Sequence, residues 1–181
     1  MRLIRSLLIL CLAIILLAGC DAFSIEERPD PNGPSVEGIT GDLTRDKIAN
    51  LIVGIESGLR TDINLYLTDV GVTGREYYRY SASDPRFSAE LLGQQQAQLN
   101  NNSFYLPRPW AERYRVIRNG YILLNAIDAG VEGVLTSAEA DATRGVVNTI
   151  IAHQLLMNLN LTYLNGIRVD VNGDELGPIF G

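Results

Sequence analysis

The chain has 181 residues, a formal net charge of −6 at pH 7 and 46% hydrophobic residues. This composition is typical of one globular domain and excludes a largely disordered chain. The acidic balance argues against nucleic acid and anionic lipid headgroups as partners, because both repel a negatively charged surface.

The first residues have the pattern of an export signal. Arg2 and Arg5 form a short basic segment, and residues 6–17 form an apolar run. The run is shorter than the roughly 20 residues of a membrane-spanning helix. A basic start followed by a short apolar run is typical of a secretory signal peptide.

The signal ends in a lipobox, since residues 17–20 read Leu-Ala-Gly-Cys. We therefore expect residues 1–19 to be removed, and Cys20 to carry the lipid chains that anchor the protein to a membrane. The alternative is an ordinary signal peptide that happens to precede a cysteine. The other cysteine, Cys11, lies within the signal, so the mature domain is expected to have no disulfide bond and no thiolate ligand.

Residues 20–41 hold Pro29, Pro31 and Pro34 and show no hydrophobic periodicity. Such a segment is typical of an extended tether between a membrane anchor and a domain. We expect the folded domain to cover residues 42–181.

Apolar residues at helical spacing predict an all-α domain built from antiparallel helix pairs. The predicted helices cover Thr44–Leu59, Asp62–Val70, a segment from Pro109 to Gly130, and a segment from a capping box at Thr136 to Leu164. Side chains expected to face inward include Tyr66, Leu67 and Val70 on the second helix, Trp110, Tyr114, Ile117, Tyr121, Leu124 and Ile127 on the third, and Val146, Ile150, His153 and Met157 on the longest.

The longest helix also carries apolar residues on a second face, including Val147 and Ile151. A helix with two apolar faces is expected to be covered on both sides. Because residues 167–181 are predicted to be extended or turn-like, no further helix is available to cover it. We therefore expect exposed apolar surface on this chain.

Residues 71–105 are predicted to form a long loop rich in aromatic residues. Loops of this length are usually functional when they are ordered. The aromatic rings could stack on sugar rings, or they could anchor the loop to the helices. The residues concerned are Tyr77, Tyr78, Tyr80, Phe87 and Tyr105, together with Trp110 at the start of the third helix.

Within this loop, an extended backbone places Tyr78 and Tyr80 on one side and Tyr77 on the other. We expect Tyr78 and Tyr80 to be outward platforms for a ligand, with Arg75 or Arg79 donating hydrogen bonds to its hydroxyl groups. Tyr77 is expected to anchor the loop. The alternative is a salt-bridged network that fixes the loop and consists of Arg75, Glu76, Arg79, Asp84 and Arg86.

Other motifs predict no catalytic or metal chemistry. His153 is the only histidine, and its place on an apolar stripe indicates a core residue rather than a ligand or a base. The segment Asp170-x-Asn172-x-Asp174 lacks the later residues of a calcium loop and is interpreted as a polar turn. We expect no enzyme activity, no cofactor and no metal.

The order of these motifs resembles the N-terminal part of the SusD/RagB family of outer-membrane nutrient-binding lipoproteins. A lipobox, a Pro-rich tether, an Ile/Leu helix and an aromatic loop precede Trp110-x-x-x-Tyr114-x-x-Ile117, and a long helix then leads to Tyr163-x-x-Gly166. Gly74-Arg75-Glu76 and the Ser-Asp-Pro-Arg-Phe of residues 83–87 resemble a branch of that family. The chain departs from the family at Tyr121, where many members place Asn, at the opening of its long helix, and in its shorter length.

The resemblance implies tetratricopeptide-like helix pairs that are incomplete at the C-terminus. It also implies a surface-exposed protein of the outer membrane that binds a glycan or another nutrient and delivers it to a SusC-like TonB-dependent transporter. The alternative function is structural, a lipoprotein that braces an envelope complex and has no ligand of its own.

The lipobox gives the first testable prediction. If Cys20 carries lipid, Cys20→Ser will release the protein into the soluble fraction or leave the precursor uncleaved. Membrane fractionation and mass spectrometry of the two proteins measure this. Wild-type protein that is soluble and carries no lipid would contradict the prediction.

Overall fold

The computed structural model describes residues 35–81, 83–94, 99, 102–103, 105–162, 164–172 and 179–180. Residues 1–34, with the signal peptide, Cys20 and most of the tether, lie outside the described residues. The described helices are α1 (Val36–Thr40), α2 (Arg45–Gly58), α3 (Ile63–Thr73), α4 (Arg86–Ala89), α5 (Pro107–Ala129) and α6 (Ser137–Leu159), and two short strands follow, β1 (Ile167–Arg168) and β2 (Ile179–Phe180). The predicted all-α class is confirmed. No helix in this part of the chain is long and apolar enough to cross a membrane.

Helix α1 lies within the segment that was predicted to be an extended tether, so that prediction is wrong for residues 36–40. The amide of Gly38 donates a 3.0 Å hydrogen bond to the hydroxyl of Ser35. A serine that accepts from the amide three residues later is a favourable helix N-cap. The proline-rich composition ends at Pro34, and the capped turn begins directly after it.

Helices α2 and α3 begin close to their predicted positions. Thr44 caps α2 by accepting a 3.2 Å hydrogen bond from the amide of Lys47. Helix α3 continues to Thr73, three residues beyond its predicted end at Val70. Tyr66 is buried as predicted, but Leu67 is 53% exposed, which contradicts its predicted inward position.

Helices α5 and α6 form an antiparallel hairpin. Near one end, the side chain of Asn158 donates to the carbonyl of Trp110 at 3.3 Å, and near the other, Arg144 pairs with Asp128 at 2.9 Å. The predicted capping box is confirmed, since Thr136 and Glu139 exchange side-chain and backbone hydrogen bonds.

Helix α6 ends at Leu159 and not at the predicted Leu164. The amides of Leu161 and Thr162 bond to carbonyls three residues back, at Asn158 and Leu159. This tighter hydrogen-bonding pattern is typical of the turns that close a helix.

Two of the predicted inward faces are shifted. On α5, Ile117, Leu124 and Ile127 are buried as predicted, but Trp110, Tyr114 and Tyr121 are only half-buried, and the buried face includes Arg113, Val116, Gly120 and Leu123. On α6, Val147 and Ile151 are buried, whereas His153 is exposed and Val146 is 46% exposed. The face of α6 that meets α5 is therefore covered, and the face that carries Val146 and His153 is open to solvent.

Large apolar side chains are exposed at several places on the helices and the following turn, as the sequence predicted in general terms. They include Val53, Leu67, Val146, Leu156 and Leu164.

The described residues contain two hydrophobic clusters. The larger one joins α2, α5 and α6 around Ile55, Ile117 and Val147. The smaller one joins α3 to the aromatic loop through Leu65, Val72, Phe87, Leu91 and Tyr105. The loop therefore has a core of its own, and it contains one described helix, α4, in a segment that was predicted to be a loop.

Strand β1 pairs antiparallel with β2, with Ile167 opposite Phe180 and Arg168 opposite Ile179. The extended C-terminal segment is therefore as predicted for these residues. Ile167 is buried and β1 contacts α6, so this ladder lies beside the end of the α5–α6 hairpin.

Close helix packing gives the second prediction. A Cβ atom at Gly120 would lie 2.9 Å from two side-chain carbons of Ile151, whereas a Cβ atom at Gly145 would meet nothing within 4 Å. Gly120→Ala is expected to lower the free energy of unfolding by about 1–3 kcal/mol, because it overpacks the α5–α6 contact. Gly145→Ala, the matched control, is expected to raise it by about 0.5–1 kcal/mol. Chemical denaturation of the two variants measures both effects, and similar effects of the two would contradict the α5–α6 contact.

Candidate functional site

The predicted ligand-binding segment leaves α3 through a tight backbone turn. The amide of Glu76 donates to the carbonyl of Gly71 at 2.9 Å, and the amide of Arg75 donates to Val72 at 3.1 Å. These two bonds form a Schellman motif, which usually has glycine at its left-handed position. Here Arg75 occupies that position with φ +59°, a strained backbone conformation for a residue with a side chain.

Tyr77 holds the segment against α3. Its hydroxyl donates a 2.7 Å hydrogen bond to the carbonyl of Leu67. Its ring lies over the backbone of Gly71, so closely that a Cβ atom there would come within 2.2 Å of a ring carbon. These contacts agree with the expected anchoring role of Tyr77, although the residue is also 48% exposed.

Tyr78 and Tyr80 are 58% and 82% exposed, which agrees with the predicted outward facing of both rings. Tyr78 lines a cleft of about 480 Å³ together with Val72, Arg75, Tyr77, Leu92 and Gln94. We call this the tyrosine cleft. Of the four predicted ligand-binding residues, Arg75 and Tyr78 are brought together in it, while Arg79 and Tyr80 are not among its lining residues.

Gln94 is a polar lining residue that the sequence did not single out. It follows α4, and the buried Leu91 holds this part of the loop against α3. Contacts between segments about 20 residues apart are not visible in a hydrophobic pattern.

Arg79 lies inside the loop. Its guanidinium carbon is 3.7 Å from the centroid of the Phe87 ring, and one nitrogen is 3.5 Å from the hydroxyl of Thr68. A guanidinium stacked on an aromatic face is a favourable cation–π contact. Arg79 therefore supports the loop, and its predicted role as a donor to a ligand stays a prediction.

Asp69 is a buried carboxylate close enough to Arg79 to be affected by its charge. It is 1% exposed, and neither carboxylate oxygen has a hydrogen-bond partner among the described residues. Burial raises the pKa of Asp69 to about 7, and the positive charge of Arg79 partly opposes that rise. In the folded state the carboxyl is therefore mostly protonated below neutral pH and ionised above it.

A second cleft, of about 510 Å³, lies where α5 faces β1. Its lining includes Trp110, Tyr114 and Arg118 from α5. The ring centroids of Trp110 and Tyr114 are 5.4 Å apart with an interplanar angle of 57°. The sequence assigned both rings to an inward stripe and missed this cleft, although the spacing of four residues between the three side chains was a usable signal.

Two other sequence motifs contribute no predicted ligand-binding residue to either cleft. His153 is exposed, and its Nδ1 is 2.8 Å from the side-chain nitrogen of Gln154, so its predicted core position is wrong. The amide of Asn172 donates to the carboxylate of Asp170 at 3.3 Å, as in a polar turn, while Asp174 lies outside the described residues. No group of three metal-ligating side chains occurs in the part of the chain that the structure describes.

Asp69 gives the third prediction. Because the folded pKa of about 7 lies above the usual value, the folded state binds this proton more tightly than the unfolded state. The contribution of Asp69 to stability is therefore full below about pH 4 and is lost as the pH rises to 7. Asp69→Asn is expected to remove this dependence and to raise the free energy of unfolding at pH 8 by roughly 1–3 kcal/mol.

Denaturation of both proteins at pH 5 and pH 8 measures the difference. The other carboxylates contribute the same pH dependence of stability to both proteins, so the comparison of wild type with Asp69→Asn cancels it. One of them is Glu139, whose pKa is lowered to about 2 mainly by its hydrogen bond with Arg45. An equal stability difference at the two pH values would contradict the prediction.

Comparison with known proteins identifies no relative, since no family model, no curated protein and no solved structure matches this chain.

Proposed function

We propose that this protein is a lipid-anchored lipoprotein of the outer membrane, exposed at the cell surface, that binds a glycan or a similar nutrient in the tyrosine cleft. The observation that carries the proposal is the joint presence of Arg75, Tyr78 and Gln94 in one cleft. A ring for the apolar face of a sugar and donors for its hydroxyl groups are the usual parts of an uncharged-ligand site.

The backbone around the cleft also supports a binding role. Arg75 keeps a left-handed conformation in which glycine would be unstrained. Strained residues of this kind tend to occur at functional sites, where another requirement outweighs the cost in stability. In the proposed site that requirement is the guanidinium that lines the cleft.

The proposal includes delivery of the bound nutrient to a SusC-like TonB-dependent transporter and a tetratricopeptide-like arrangement of the helices. Supporting features are the successive helices α2 and α3 and the antiparallel α5–α6 hairpin, whose two helices are joined by residues 130–136. Short connections between antiparallel helices are typical of helical-repeat and bundle architectures. The sequence motifs resemble those of the SusD/RagB family, and the transporter partner is proposed from this resemblance.

A second candidate function is the bracing of an envelope complex without a ligand. The observation that favours it is the exposed apolar surface, including Leu164 at 79%, Val53 at 60% and Leu156 at 55%. Exposed apolar side chains of this size often mark protein contacts.

Glycan binding gives the fourth prediction. Tyr78→Ala is expected to weaken binding by roughly 1–3 kcal/mol, because it removes the exposed ring that lines the cleft. Tyr80→Ala is the matched variant, since Tyr80 is an exposed tyrosine two residues away whose ring does not line the cleft, and a smaller loss is expected. The measurement is titration of the full-length protein with oligosaccharides selected on a glycan array.

Circular dichroism confirms that both variants keep their helices. Undiminished binding by both would contradict the glycan site and favour the bracing function. A loss of glycan affinity confined to Tyr80→Ala would indicate that the ring on which the sugar stacks lies outside the tyrosine cleft.

A further inference from the structure

The cleft between α5 and β1 has a chemistry that differs from that of the tyrosine cleft. Trp110, Tyr114 and Arg118 follow each other at intervals of four residues, so they lie along one face of α5. Ile167, Arg168 and Val171 line the cleft from the segment that follows α6. We call this the tryptophan cleft.

The two aromatic rings are held in place. They form a tilted pair with their centroids 5.4 Å apart, an arrangement that is favourable for aromatic rings. The hydroxyl of Tyr114 donates a 2.9 Å hydrogen bond to the backbone carbonyl of Arg168. This bond joins α5 to β1 across the cleft and uses the polar end of the Tyr114 ring. What Trp110 and Tyr114 contribute to the cleft is therefore mainly apolar ring surface.

The charge of the cleft is positive in an otherwise acidic protein. Arg118 and Arg168 line it, and no carboxylate is among the lining residues that the structure describes, whereas the whole chain has a net charge of −6. Arg118 is exposed, and within the described ranges no carboxylate forms an ion pair with its guanidinium. By contrast, Arg115, one turn earlier on α5, pairs with Glu112 at 2.5 Å.

We propose that the tryptophan cleft binds an acidic sugar, a hexuronate unit of a glycan, with its ring on the aromatic pair and its carboxylate at Arg118. A planar guanidinium fits a carboxylate through two parallel hydrogen bonds. The apolar face of a pyranose suits the ring surface of Trp110 and Tyr114. The assignment of a sugar rests on the proposed function, and the preference for a carboxylate rests on Arg118.

The chain offers a direct probe, because Trp110 is its only tryptophan. The full-length lipidated protein in neutral detergent micelles is titrated with trigalacturonate and, separately, with the neutral maltotriose, and the fluorescence of Trp110 is recorded. We expect trigalacturonate to change this fluorescence and to bind about fivefold more tightly than maltotriose at low salt. Added salt is expected to reduce the difference, because it screens the exposed charge of Arg118.

Two variants separate the role of Arg118 from that of charge in general. Arg118→Gln is expected to remove the preference for the acidic sugar. Arg115→Gln, the matched control on the same helix, removes an exposed arginine outside the cleft and is expected to retain the preference. Equal affinities for the two sugars in the wild-type protein, an unchanged preference in Arg118→Gln, or Trp110 fluorescence that does not respond would each overturn the proposal.

The outcome also distinguishes this inference from the proposed function. Glycan binding that depends on Tyr78 but leaves Trp110 fluorescence unchanged overturns only the acidic-sugar site. A protein that binds neither sugar and no glycan of the array overturns both.

Discussion

The fold depends on one buried cation of the described residues, Arg113, in the N-terminal third of α5. The residue is fully buried, and its guanidinium donates to the carbonyls of Leu59 at 3.0 Å, Gly58 at 3.5 Å and Thr61. Carbonyls at a helix C-terminus lack partners within the helix, and a positive charge there is favoured by the helix dipole. Burial lowers the pKa of Arg113, but these acceptors make the buried charge tolerable. The turn between α2 and α3 is thereby fixed to α5, and both clefts are built on the helices that this contact joins.

Local signals were sufficient for the four long helices and the approximate positions of their starts, but not for the short helices α1 and α4. The Thr44 cap and the Thr136–Glu139 capping box depend on residues only three apart, so the sequence alone predicts them. The faces of the helices were less predictable, as Leu67 and His153 show. Periodicity indicates that a helix has an apolar stripe, but the neighbours decide which part of the stripe is covered. Arg113 would not be placed in a core from its residue type at all, because its acceptors come from a turn more than 50 residues earlier.

In the candidate sites, too, the features set by local sequence were predictable and those set by distant contacts were not. Alternation within a short segment predicted the exposure of Tyr78 and Tyr80, but it did not predict that Tyr77, itself 48% exposed, lines the same cleft as Tyr78. Gln94 and the tryptophan cleft required contacts between distant segments. The wall opposite Trp110 is formed by Ile167 and Arg168, and no pattern in the sequence indicates that β1 returns to the start of α5.

The two neighbours of Tyr78 have a consequence for the kinetics of binding. Tyr77 is tied to α3 by its hydroxyl and its ring, and Arg79 is stacked on Phe87. Both backbone positions beside Tyr78 are therefore ordered before any ligand arrives, and little conformational entropy remains to be lost when a ligand binds. A preorganised backbone of this kind allows fast association, so that differences in affinity between ligands would appear mainly in how long each one stays bound.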